Sequence, residues 1–371
     1  MNTTNARIQF ALVAIMALAV AGCSKPPAKP SETAATAAAP KDLVKLRMTI
    51  DADAMLPRLA GSLGYFKDEG IEIEEVDIHA IAEHDFLMQQ PLIEGKVDAS
   101  YHWFQHTVFG ARHSTPIKAV ILFADSPGLT VMAANRVKDK IKRARDFRGR
   151  RIAQGGGHAT KAMLMNYLAV KDGLPQKNSY QAIATEAAGR EDAVLAALRA
   201  DEVDVMAFME PTTAALQATG LVTTLYDMTS REATEKVFGA ALPADCLLMA
   251  PEYIAKNPEV VQRVVNAFVR TMRYVNSHSA EEIVAALPAS YLANKDKVAE
   301  TERIRNTLRG YAQGDYTFHD DDVKLIVDTI MAYSFNDTPA GKYRAGGENT
   351  GFVRDSLYTN EFVSRAMAEI R

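Results

Sequence analysis

Apolar Leu46, Met48 and Ile50 alternate with polar neighbours, the period-two pattern of a strand with one face against a core. Residues 56–65 follow with helical spacing, and Gly64 stands near their end. A second alternation over 71–76 predicts another strand, and further helix–strand pairs fall at 86–95 with 97–100 and at 108–112 with 117–123. A similar block opens with a turn and strand at 146–153 and runs through the glycines 155–157 into a helix over 161–171. It continues as a strand at 180–184, a helix at 190–200, an apolar strand at 203–208 and a helix from Pro211. Strands alternating with helices imply a parallel or mixed sheet covered by helices. The pattern therefore predicts two α/β units joined near 130–135, with a return near 222–245 and crossing strands near 130–134 and 222–226. No repeated sequence links the two units. Beyond Pro251 the pattern is helical, at 251–256, 258–277, 280–287, 297–310, 320–331 and 360–370, with proline at several starts. These helices are expected to finish the first unit and brace the junction.

The N-terminus changes the picture. The unbroken apolar run 10–21 is shorter than the about 20 residues that span a bilayer as a helix and has the length of a signal-peptide core. Its ending, Val20-Ala21-Gly22-Cys23, resembles a bacterial lipobox, which predicts cleavage after residue 22 and a lipid on Cys23. The alternative is an ordinary secretory signal with an incidental cysteine. Residues 24–43 are rich in Pro, Ala, Ser and Thr and bury too little to offset the entropy of ordering them, so they read as a flexible tether. The only other cysteine is Cys246, so a lipidated Cys23 leaves no intramolecular disulfide. The expected layout is a signal peptide at 1–22, a tether at 23–44, a first lobe at 45–131 with 238–371, and a second lobe at 132–237. A net charge of −4 over 371 residues, with no basic stripe beyond the cluster at 138–151, argues against a nucleic-acid partner.

Three segments carry a resemblance: Leu63-Gly-Tyr-Phe-Lys-Asp-Glu-Gly-Ile-Glu-Ile73, Leu92-Ile-Glu-Gly-Lys-Val-Asp-Ala99, and Asp146-Phe-Arg-Gly-Arg-Arg-Ile-Ala153 leading to Gly155-Gly-Gly-His-Ala-Thr160. In this order and behind a lipobox they are similar to the sulfonate/nitrate/thiamin-precursor-binding family of type II periplasmic binding proteins, over residues 46 to 275 or so. The resemblance implies an α/β fold of two lobes joined by a two-stranded hinge, with C-terminal helices and a ligand held in the cleft between lobes. It implies the extracytoplasmic solute-binding lipoprotein of an ABC importer, delivering a sulfonate, a pyrimidine or an aromatic acid to a permease and its ATPase. Phe104-Gln105-His106 is also similar to a run in methionine-binding lipoproteins, which keeps an amino-acid receptor as an alternative.

Several residues are candidates for ligand contact. The loop with Gly156, His158 and Thr160 offers backbone N–H groups and a helix start to a polar or anionic group, or is a tight turn that needs glycine for its backbone angles alone. Tyr101, His102, Trp103 and Gln105 form an aromatic and polar cluster suited to a planar or apolar ligand, or else supply packing at a core or rim. Asp53, with Asp51, disfavours a simple inorganic anion and leaves room for an amine, a hydroxyl compound or a zwitterion; one of them could instead cap the next helix. His84 lies in the following loop between Glu83 and Asp85. Glu210 precedes Pro211, where a glutamate contacts the ring in pyrimidine-binding members of the family, or it caps the helix after it.

Catalysis is the competing class, because one branch of the thiamin-precursor group makes a pyrimidine with iron and a cysteine-rich motif. This sequence has no such motif, no HExxH and no Gly-x-Ser-x-Gly, and the spacing of His102 and His106 alone does not make a metal site. No catalytic residue, metal or cofactor is expected. The expected partners are a small-molecule ligand, the ABC permease with its ATPase, and a membrane reached through Cys23, around a monomeric receptor.

Overall fold

The computed structural model describes residues 43–51, 53–77, 81, 89–155, 159–175, 179–183, 191–293, 295–332 and 354–370. Its described strands form two five-stranded sheets. The first contains β1 (Val44–Thr49), β2 (Ile71–Val76), β3 (Ala99–Trp103), β4 (Lys118–Leu122) and β10 (Asp245–Met249), in the order β2-β1-β3-β10-β4. The second contains β5 (Leu129–Ala134), β6 (Arg151–Ala153), β7 (Gln181–Ile183), β8 (Val205–Phe208) and β9 (Val222–Met228), in the order β7-β6-β8-β5-β9. Four strands of each sheet run in one direction, and the fourth position is filled by the single antiparallel strand, β10 in one and β5 in the other. That inserted strand is in each case the one delivered from the other sheet, so both sheets repeat one topology.

The chain crosses between sheets twice. Residues 123–128 leave β4 for β5, and residues 229–244 return from β9 to β10. The two passages pair: Phe123 and Ala124 donate their N–H groups to the Asp245 carbonyl, Ala244 to Ala124, and Leu242 to Asp125. The predicted crossing strands at 130–134 and 222–226 are paired with each other, but wholly inside the second sheet as β5 and β9. The true two-stranded crossing lies a few residues before one and after the other. A third chain joins it. Ala312 donates to the Phe123 carbonyl, Asp125 to Gly310, and Leu122 to Tyr316.

The sheets also share a fastening that sequence comparison of the two blocks did not reveal. At the entry to β3, Asp98 accepts the Arg47 backbone N–H at 2.9 Å and two bonds from its guanidinium. At the entry to β8, Asp204 accepts the Arg151 backbone N–H at 2.9 Å and also pairs with the side chains of Arg151 and Arg136. Both aspartates follow a buried valine, Val97 and Val203.

Around the first sheet lie α1 (Met55–Ser62), α2 (Tyr65–Asp68), α3 (Gln89–Ile93) and α4 (Gln105–Arg112); around the second, α5 (Thr160–Lys171), α6 (Glu191–Arg199) and α7 (Thr212–Ala218). Helix α8 (Arg231–Phe238) sits in the return passage. After β10 come α9 (Pro251–Lys256), α10 (Pro258–Ser277), α11 (Ala280–Ala286), α12 (Ala289–Leu292), α13 (Lys297–Thr307), α14 (Asp320–Ala332) and α15 (Glu361–Glu369). The stripe Val261, Val264, Val265, Phe268, Met272 and Val275 recurs at helical spacing along α10 and is buried against α1, α2 and α15. Phe268 sits at its centre, 5.2 Å from Phe66 and 4.8 Å from Phe123 ring to ring. Helix α14 packs on both α4 and α5, so it touches the helices of both sheets.

Candidate functional site

A cavity of about 280 Å³ lies where the two crossings meet the ends of the sheets. Register explains who lines it. In the first sheet Asp245 faces Trp103 across the β10–β3 ladder, and both line the cavity. In the second, Thr130 lies opposite Asp227 across β5–β9, and both line it as well. Ser126, Pro127 and Gly128 of the first crossing form one wall; Met209 and Glu210, just beyond β8, form another. The remaining wall is C-terminal: Arg303 and Thr307 on α13, then Arg309, Gly310 and Tyr311. Gly128 has φ 63°, the left-handed turn conformation that favours glycine between the crossing and β5.

The charges on these walls are unevenly paired. Arg303 forks onto Glu300 at 2.9 and 2.6 Å and donates to the Tyr291 hydroxyl at 2.8 Å. Arg309 stands 3.6 Å from Asp227, whose other oxygen accepts from Thr229. Burial pushes the Glu210 carboxyl up from its ordinary value, against an N–H bond from Ala214 and the more distant Arg303 and Arg309. Burial also raises Asp245 to about 6; a 3.4 Å bond from the Tyr101 hydroxyl opposes this and the nearby Asp51 carboxylate adds to it.

Of the residues expected from sequence to meet a ligand, Trp103 and Glu210 line the cavity. Alternation along β3 separates the aromatic cluster into two faces. Tyr101 is buried, stacked on Phe123 at 5.2 Å, and its hydroxyl donates to Asp245 at 3.4 Å, so it supports the cavity from behind. His102 turns the other way, its ring edge-on to His106 at 4.4 Å. Burial drives the His106 pKa well below the usual imidazole range, with His102 adding to the effect, so His106 is neutral at pH 7. Gln105 and Thr160 are used on each other: the Thr160 hydroxyl donates to Gln105 Oε1 at 2.6 Å, joining the starts of α4 and α5. Asp53 bonds Lys295 at 2.5 Å and ties its loop to the C-terminal helices, while α1 starts at Ala54 without a side-chain cap. His84, Gly156, His158 and the lipidation residue Cys23 lie outside the described residues.

Sequence reasoning missed Asp245, Asp227, Ser126, Arg303 and Arg309. Ser126-Pro127-Gly128 carries a turn signature that marks the crossing. Arg303 had no signal, because it sits in a polar helix that reads as an ordinary solvated face.

Residues 58–282 match the family model described as NMT1/THI5 like. The chain belongs to this family. No curated protein matches the NMT1/THI5-like chain in sequence. Among solved structures it is similar to a protein of Bordetella bronchiseptica RB50, at 22% identity and TM-score 0.66, over 88% of this chain and 97% of that one. It is similar to the periplasmic aliphatic sulphonate binding protein SsuA of Escherichia coli, at 17% identity and TM-score 0.61, over 83% and 94%. It is also similar to the desulfurization enzyme DSZB, at 13% identity and TM-score 0.57, over 89% and 100%. The NMT1/THI5-like chain thus has the α/β fold of periplasmic binding proteins, with the cavity at its crossings.

Proposed function

We propose that this NMT1/THI5-like chain is the extracytoplasmic solute receptor of an ABC importer, a monomer held to a membrane by lipid on Cys23 and passing a small organic ligand to the permease. The observation that carries this reading is the cavity itself: Trp103 and Asp245 come from one sheet, Glu210 and Asp227 from the other, and the chain crossings form its wall. A ligand there touches both lobes at once, and its binding energy favours the arrangement in which they are closed. The Thr160 hydroxyl, donating to Gln105 Oε1 at 2.6 Å, is a direct tie between helices of the two sheets. The Escherichia coli relative of this fold is a periplasmic sulphonate binder.

The likeness to DSZB raises an enzyme as the second reading. Among its described lining residues the cavity has no thiol and no imidazole. Cys246 is buried, its thiol raised well above the ordinary value by burial and donating to the His102 carbonyl. Those features favour binding over nucleophilic chemistry.

Thermal unfolding of the full chain against sulfonates, pyrimidines, aromatic acids, amino acids and polyamines tests the receptor reading. A true ligand at about 100 times its Kd stabilises by about 2.7 kcal/mol. A saturable shift by one class is expected; no shift with any of them, alongside turnover of one, would replace the receptor with an enzyme. Incorporation of labelled palmitate that disappears in Cys23→Ser checks the anchor.

A further inference from the structure

The cavity's charge pairing carries an inference about what the ligand is. Both arginines on its wall are already engaged, Arg303 in a fork with Glu300 at 2.9 and 2.6 Å and Arg309 beside Asp227 at 3.6 Å. Two lining carboxylates, Glu210 and Asp245, make no ion pair among the described residues: Glu210 takes a backbone N–H from Ala214, and Asp245 a 3.4 Å bond from Tyr101. Once the paired charges cancel, the cavity keeps two carboxylates, Asp245 on β10 of the first sheet and Glu210 just beyond β8 of the second. Carboxylates held away from bulk water are costly unless a cation or several donors meet them.

Two further features suit a cation with N–H groups. Trp103 presents an aromatic ring at the same wall, and ring faces attract cations. Ser126 also lines the cavity, is only 2% exposed, and its hydroxyl has no hydrogen-bond partner, so it can accept from a ligand N–H. A sulfonate or nitrate in the same place would face Glu210 and Asp245 while both arginines stayed bound to their own carboxylates.

We propose that the ligand presents an organic cation, an ammonium or amidinium group, between Glu210 and Asp245 with Trp103 alongside. This inference rests on the receptor reading and names the chemical class of its ligand. It also gives closure a cause, because a cation bridging carboxylates of opposite sheets is bound best when the two approach.

Trp103 is the chain's only tryptophan, so its fluorescence reports on this cavity. The full chain is titrated with agmatine, putrescine, choline and benzamidine, and separately with methanesulfonate, nitrate and benzoate. At least one cation is expected to give a saturable response and none of the anions. Glu210→Gln should weaken the cation about tenfold or more, the loss of one charge-assisted contact. Asp245→Asn, with folding checked by its melting curve, should act in the same direction. A saturable response to an anion, unchanged or strengthened by Glu210→Gln, would overturn the charge assignment and leave the receptor standing. Silence towards every compound, with no thermal shift, would remove the receptor reading and this inference together.

Discussion

Asp98 and Asp204 do one task in two places, each holding the start of its strand to an arginine on the neighbouring strand. Their partners are partly exposed, so Asp204→Ala should cost roughly 2 kcal/mol rather than the larger loss of a fully buried pair, measurable by urea unfolding. Burial pushes the Asp204 carboxyl up, but bonds from the Arg151 side chain and backbone and from Arg136 outweigh it and hold it at about 2. A lowered carboxyl stabilises the fold above its unfolded value near 3.9, and that contribution is lost as pH falls through about 2. Asp204→Ala should therefore flatten the loss of stability between pH 4 and 2. Asp245 has the opposite sign. Held at about 6, it keeps its proton in the fold after the unfolded chain has lost it, so stability falls as pH rises from about 4 to 6. Asp245→Asn should remove that slope. At this scale the sequence singled out Trp103 and Glu210, which line the cavity, the first within an aromatic and polar cluster and the second from the Glu-Pro step after a strand. It could not identify Asp245, because its role comes from lying opposite Trp103 across a ladder that joins strands far apart in the chain.

Among the elements, the hinge is built from short pieces whose identity depends on their neighbours. Residues 117–123 and 129–134 are both apolar, and periodicity cannot tell a crossing from the strands on either side of it. The long helix α10 was readable, with proline at its first position and an apolar stripe. The C-terminal segment at 310–312, which meets the first crossing through a single bridge between Tyr311 and Ala124, carries no pattern of its own. Gly310 shows why it fits. A Cβ there would lie 2.9 Å from Ser126 Oγ and 3.5 Å from the Thr229 carbonyl, which belong to the two crossings. Gly310→Ala should push this chain off the hinge, costing about 1–3 kcal/mol in thermal or urea unfolding and weakening ligand binding with it.

The whole molecule is two copies of one sheet topology, tied at the crossing by Arg231, which bridges Asp125 at 3.3 Å and Asp322 at 3.0 Å, and across the starts of α4 and α5 by Thr160 and Gln105. The two-lobed α/β class was legible from strand–helix alternation and from the three family segments. The repeated topology was not, because the two lobes share geometry and the Val-Asp step but little other sequence. Thr160→Val keeps the side-chain shape and removes the hydroxyl, leaving Gln105 Oε1 without this donor where α4 and α5 meet. It should weaken ligand binding several-fold by disfavouring closure, read as a raised Kd in equilibrium titration. The receptor function proposed for this chain requires a small molecule to bind in the cavity at the crossings. Its most direct test is calorimetric titration of the full chain and of Trp103→Ala with whichever compound gives the largest thermal shift, beside Asp98→Ala as a variant remote from the cavity. Trp103→Ala should lose about tenfold or more in affinity while Asp98→Ala binds as the parent does; an affinity untouched by Trp103→Ala would rule out binding in this cavity.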